Sequence, residues 1–267
     1  MKLTPVVLYT DQKQQLGMGN GASTLGGALP PAPPPRPGST LMNHSAALLA
    51  RSFTQDGADV DIPKFLVAGS AFLAFVTSLG MFAKVASGAI KDNLMMIKAP
   101  MDKNTDDSAG SSTSSMRSLL LNELSNRLHE NNTLKPNSAA FGLYWIIRAL
   151  RFWEFVCNER ARLAVAADAP RLKDTLDLAY ETALTGHSAN PYDRSQEADL
   201  SHAAFKASLA LAPEWDALLP KLLTAGGTDD EFVAEVEKFS PLMSKSVQQL
   251  TDLFEEHFAG WRPGSKE

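Results

Sequence analysis

Residues Gly142 to Phe155 place bulky apolar side chains and two arginines, Arg148 and Arg151, inside one helical pattern. At 3.6 residues per turn, Trp145, Arg148 and Phe152 fall near one line with Ala149 between them, while Leu143, Ile147, Leu150 and Phe155 lie around the rest of the cylinder. A helix that is apolar nearly all round belongs in an interior. An arginine carried there must be paired, pointed into a wet cavity or given to an anionic ligand, because an unpaired charge taken out of water is costly. Everything else in the chain has to be arranged so that one of these outcomes is met.

The 267 residues carry 25 Lys and Arg against 30 Asp and Glu, a formal charge of −5. That balance argues against phosphate-backbone binding as the main role, which needs a basic surface, so no nucleic-acid partner is expected. A single cysteine, Cys157, excludes an intramolecular disulfide and a cysteine-rich zinc site, and it reads as a reduced, buried thiol in a cytoplasmic protein. The five histidines are scattered, and no Gly-rich phosphate loop, paired metal-ligand spacing or nucleophile elbow is present. The chain is therefore read as a non-enzyme with no metal and no cofactor.

Residues 1–60 are rich in Gly and Pro and are read as a flexible tail, with a polyproline II patch from Pro30 to Pro37 and room for a short amphipathic helix over Ser45 to Phe53. The patch is a candidate docking site for a proline-reading domain. Residues 61–262 are read as one helical domain. Asp61 can cap a helix with Pro63 in its first turn, running to Leu79 before Gly80 interrupts it. A second helix, Met81 to Lys98, is expected to end before Ala99-Pro100, since a residue before proline avoids the helical region. Met116 to Leu128 sets Leu119, Leu120 and Leu124 on one face. The central helix covers Ser138 to Leu163, and another covers Pro170 to Leu184 with Leu172, Leu176, Ala179 and Tyr180, or Ala183, inward. Helix resumes from Ala198 to Ala212, with short pieces following to Leu223. Thr228 and Glu231 form a capping box for a last helix towards Phe258, expected to be interrupted at Pro241. There is no run of alternating β-branched residues, so the fold class is all-α. Phe65 to Ala83 run nineteen positions without a charge. A buried core helix is favoured over a membrane span for this run, because both give the same signal and Gly69, Ser70, Thr77, Ser78 and Gly80 interrupt it.

Tyr144-Trp-Ile-Ile-Arg-Ala-Leu-Arg-Phe152 resembles the Trp-x-x-Arg-x-Leu-Arg-Phe signature of the glycolipid transfer protein family, whose members carry single sphingolipids between membranes. Asn93-Leu-Met-Met-Ile-Lys98 resembles the end of that family's Asp-x-x-x-Asn-x-x-Lys-Ile-Lys helix. Ala179-Tyr180-Glu181 with Leu184 and His187 resembles the segment leading to its headgroup histidine, and Ala207 to Pro213 resembles its Ala-rich helix. The resemblance implies a two-layer, all-α helical sandwich that encloses lipid chains in an apolar slot. A sphingolipid ligand and a transient membrane surface are the implied partners, and Asn93, Trp145, Arg148, Arg151 and His187 the implied headgroup residues. Extracting such chains needs a well-matched cavity, since each methylene gains about 0.8 kcal/mol from burial. The 65–83 run and the Leu119/Leu124 and Ile147/Leu150 faces could line it. Trp215 and Trp261 are candidates for membrane contact, because indole favours the headgroup region; core packing is the other reading for Trp215.

The chain departs from this pattern at the headgroup. Counting from Asn93, the family's aspartate falls at Ala89 and its first lysine at Met96. Asp92 would project about 100° from Asn93 on a helix and cannot replace the aspartate without a shift. Measured from Ala179-Tyr180 the family's histidine falls at His187, measured back from Pro213 it falls at Glu197, and His202 is the alternative. Lys84, Lys91 and Lys98 could add to Arg148 in favouring an anionic headgroup. Arg151 is read as a structural ion-pair partner of Asp92, Glu154 or Asp177. The expectation is sphingolipid binding and intermembrane transfer, with a transfer-inactive lipid sensor or protein-interaction scaffold as the alternative on the same fold. A membrane hairpin at 65–97 is the third reading.

Overall fold

A computed structural model describes residues 28–104, 114–164, 172–185, 209–223 and 228–263. Helix α5 (Ala139–Ala164) is the axis: it packs along α3 (Lys84–Asn104) and α8 (Asp229–Phe258), while α1 (Leu41–Ala50) lies across α2 (Ile62–Ser78) and α8. Helix α4 (Met116–Ser125), α6 (Leu172–Ala179) with its π-helical continuation Tyr180–Thr185, and α7 (Trp215–Leu222) complete the described helices. The fold is all-α, as expected. Apart from isolated bridges, the strand pairing among the described residues is a two-residue parallel pair, β1 (Thr133–Leu134) with β2 (Arg262–Pro263), which ties residues 262–263 to the loop before α5. Pairing that short leaves no alternating pattern in a sequence.

Local signals set most helix boundaries. The Asp61 carboxylate accepts from the Lys64 N–H at 2.9 Å, and Pro63 sits in the first turn of α2. Gly80 adopts φ of +101°, where a Cβ would be strained, and breaks the apolar run into α2 and a short 3-10 turn, Met81–Ala83. The run is thus not one helix, and no helix among the described residues is long and apolar enough to cross a membrane. Thr228 and Glu231 form the expected capping box of α8. The start of α5 is capped from elsewhere in the chain: the buried Glu123 carboxylate accepts from the Ala139 and Ala140 N–H groups at 2.7 and 2.9 Å and from His129 Nε2 at 3.1 Å. His129 Nδ1 accepts the Lys135 N–H, so its ring is the Nε2-protonated neutral form.

Several sequence expectations are corrected. Pro100 does not end α3 and Pro241 does not interrupt α8; both lie inside continuous helices. Ile97 and Met101 around the first proline, and Phe239 and Met243 around the second, pack into the core, and that burial outweighs the lost hydrogen bond. The helical body also begins upstream of residue 61. Thr40 caps α1, and its hydroxyl donates to Glu235 of α8 at 2.9 Å. Met42, Ala46 and Leu49 are buried in the core. Trp215 is only 7% exposed and packs near Phe232, so it is a core residue and not a membrane anchor. Trp261 is half-buried, its ring edge-on to Phe258 and His129. In the π-helical continuation of α6 both Tyr180 and Ala183 turn inward.

Candidate functional site

Helices α3 and α5 approach closely at Gly142. A Cβ there would come within 2.6 Å of the Asn93 carbonyl oxygen and 3.1 Å of Met96 Cβ, so glycine is what lets the two helices come together. Trp145 follows Gly142 by three residues, less than one turn, and stands beside that contact. Asn93, Ala89 and Met96 are spaced at i, i−4 and i+3 along α3 and all are half-buried. The face of α3 that meets the Trp145 end of α5 therefore carries one amide, one methyl group and one thioether.

Arg148 is half-buried and held by aromatic rings. Its guanidinium carbon lies 4.7 Å from the Tyr144 ring centroid and 5.8 Å from that of Trp145. Trp145 itself meets Phe141 and Tyr144 edge-on, with centroids 6.3 and 5.4 Å apart, and Tyr144 leans on Phe254 of α8 at 5.9 Å. Burial pulls the Arg148 guanidinium below its usual pKa, the neighbouring Arg151 adds to this, and the Tyr144 phenol opposes it. Burial likewise raises Tyr144, against the charges of Arg148 and Arg262. Stacking occupies the faces of a guanidinium, while its N–H fork lies in the plane, the geometry that suits an oxyanion.

Arg151 has a different setting. Its Nη2 donates to Thr251 of α8 at 2.8 Å, and its charge acts on half-buried Glu154. Glu154 is raised above the usual carboxylate range by burial, with the Ser244 hydroxyl, which donates to it, and Arg151 working the other way. Lys98 pairs with Asp102 at 2.7 Å, and Lys84 and Lys91 are exposed on α3. The structure thus sets Arg148 over the Trp145 ring, puts the backbone of Asn93 against Gly142, and ties Arg151 to Thr251 of α8. His187 and His202 lie outside the described residues.

Sequence reasoning gave no role to Tyr144, although its i−4 spacing from Arg148 was visible. It also missed Phe254 and Arg262, which reach this end of α5 only through α8 and the β1–β2 pair and leave no local signal. Beneath α1, a narrow apolar cavity is lined by Ser45, Leu49, Phe65, Phe72, Ile146 and Met243 among others. Its volume of about 10 Å³ has room for little more than one water molecule, so the helices around it are nearly closed on one another. Phe65 and Phe72 of the 65–83 run line it, as does Leu150 of α5.

The all-helical body carries an apolar seam beneath its first helix and an arginine–aromatic cluster on its central helix. The family model described as glycolipid transfer protein matches residues 60–223, and the chain belongs to that family. Human ceramide-1-phosphate transfer protein, solved with 12:0 ceramide-1-phosphate, aligns with a TM-score of 0.63 at 15% identity, covering 80% of this chain and 95% of that one. The GLTP-fold of FAPP2, by which that protein selects simple glycosphingolipids, aligns at 0.62 and 17%, covering 84% and 100%. The Arabidopsis accelerated-cell-death 11 protein, as a point mutant with C12 ceramide-1-phosphate, aligns at 0.59 and 16%, covering 82% and 96%. At these identities the likeness speaks for the fold alone. A search of curated proteins finds no match. The family is one of transfer proteins, and the chain is not an enzyme.

Proposed function

We propose that this protein binds a sphingolipid and moves it between membranes, holding the apolar chains between helices that part to admit them and an anionic headgroup at Trp145 and Arg148. The observation that carries the reading is the Arg148 guanidinium laid over the Tyr144 and Trp145 rings. With Ala89 and Met96 at the positions of the family's aspartate and lysine, little remains on α3 to accept hydrogen bonds from a sugar. A half-buried, ring-stacked arginine instead favours a phosphate, whose oxygens match its fork. Asn93 and Arg151 serve as secondary contacts in this reading, and His187 is the remaining headgroup candidate.

Membrane contact is assigned to the elbow between α2 and α3. Met81 is 74% exposed, Val85 is also exposed, and Lys84 stands beside them. No acidic residue occurs between Asp61 and Asp92, so the tip combines apolar and basic character. A cytoplasmic protein acting peripherally on membranes is the setting this implies.

The test is transfer between vesicles loaded with ceramide-1-phosphate or with a glycosylceramide. The phosphate lipid should be transferred in preference, and Arg148→Ala should abolish that transfer, with helicity retained by circular dichroism. Equal transfer by the variant refutes the headgroup assignment. Lipid co-purifying with the protein in the absence of any transfer would favour the sensor reading.

A further inference from the structure

Pro30 to Pro37 contains six prolines in eight residues. Each proline fixes its own φ near −65°, and every residue that precedes one is held in the extended region, so the backbone is confined to polyproline II before any partner arrives. The segment is also fixed in place. Leu29 packs against the core at one end. At the other, the Ser39 N–H donates to the Arg36 carbonyl at 2.9 Å, and Thr40 is bonded to Glu235. In between, His44 Nε2 lies 2.9 Å from the Pro33 carbonyl and donates to it. Between these ties Pro31, Pro34 and Arg36 are exposed.

With three residues per turn and a rise of about 3.1 Å, Pro31 and Pro34 share one edge about 9 Å apart, and Pro30, Pro33 and Arg36 share the next. Two adjacent edges bearing prolines, followed by a cation at Pro31-x-x-Pro34-x-Arg36, match the pattern read by an aromatic groove with an acidic pocket at one end. Charge points the same way. Although the chain is net −5, residues 12–55 carry Lys13, Arg36 and Arg51 and no acidic residue.

We propose that Pro30–Pro37 is a docking strip for an SH3 domain, with Pro31 and Pro34 in its aromatic groove and Arg36 against its acidic pocket. The rigid strip loses little conformational freedom on docking, which favours binding without new secondary structure. The strip leads directly into α1, so a partner held there is held by the folded body itself. This proposal does not depend on the lipid reading.

The experiment is calorimetric titration of the full-length chain with a recombinant SH3 domain that prefers Pro-x-x-Pro-x-Arg peptides, with a WW domain in parallel. We expect micromolar binding of the SH3 domain. The Pro31→Ala/Pro34→Ala double variant and Arg36→Glu should each weaken it at least about tenfold, while Arg51→Ala should leave it unchanged. Circular dichroism and melting of the variants should match the parent, since the strip is exposed. The proposal is overturned if the SH3 domain does not bind, if binding survives the double substitution, if the WW domain binds instead, or if a peptide of residues 28–38 binds while the full chain does not.

Discussion

Gly142→Ala tests whether the α3–α5 approach sets the headgroup region. A methyl group there meets a backbone oxygen, that of Asn93, at 2.6 Å, and no rotamer change can move a backbone carbonyl aside. Restoring about 3.3 Å between carbon and oxygen requires the helices to part by roughly 0.7 Å. Overpacking of this kind costs about 1–3 kcal/mol, and alanine returns about 1 kcal/mol of helix propensity. Because the clash is with backbone, the net should be a loss of about 1–2 kcal/mol. At about 2–4 °C per kcal/mol for a domain of this size, the melting temperature should fall by roughly 2–8 °C. Gly88→Ala is the matched control: it lies in α3 and its Cβ would meet nothing within 4 Å. That variant should show the propensity term alone and melt about 2–4 °C higher. Transfer should drop in Gly142→Ala, as Asn93 and Trp145 move apart, and persist in Gly88→Ala. A melting temperature for Gly142→Ala that is unchanged or raised refutes the reasoning.

Three further outcomes are expected. Glu154 has its folded pKa raised by burial, so the native state binds more protons than the unfolded one between the ordinary carboxylate range and that raised value. Its contribution therefore declines as pH rises through that window; Glu154→Gln should gain stability relative to the parent on going from pH 4 to pH 7, by less than about 1 kcal/mol after solvent screening, read from urea midpoints. The Cys157 thiol is pushed up to about 12 by burial, so roughly one molecule in ten thousand carries a thiolate at pH 8. A thiol reagent should label it only after unfolding, and prompt labelling in native buffer would contradict the packing of α5. Met81→Asp at the exposed elbow should weaken vesicle partitioning by between about fivefold and thirtyfold, a loss of about 1–2 kcal/mol of apolar insertion, while the melting curve stays in place. Partitioning equal to the parent would move the membrane contact elsewhere.

What a sequence can show depends on how far apart the interacting groups lie. Asp61 with Pro63, Gly80, and Thr228 with Glu231 act on their own neighbours, and each boundary they mark is where the structure has it. Pro100 and Pro241 carry local signals just as strong, yet tertiary burial on both sides of each proline overrides them. Helix α1 is only half legible: the sequence suggests a short helix over Ser45 to Phe53, but not its start at Leu41 or its place in the folded body, because the surrounding Gly and Pro dilute the pattern and its apolar face gains meaning only against α2 and α8. In the site, Trp145 and Arg148 could be read from spacing because both lie on one helix. The rings and charges that complete their surroundings, Phe254 and Arg262, are roughly a hundred positions away or more and join them only in three dimensions.

The cavity beneath α1 has walls of two kinds. Phe65, Phe72, Ile146 and Leu150 lie within residues 60–223, the span shared with the family, and so do Trp145 and Arg148. Ser45 and Leu49 on α1 and Met243 on α8 lie outside it. A change at Leu49 or Met243 would alter the width of the cavity while leaving the arginine–aromatic cluster untouched. The width of this cavity can therefore change through α1 and α8, at positions the family span does not include.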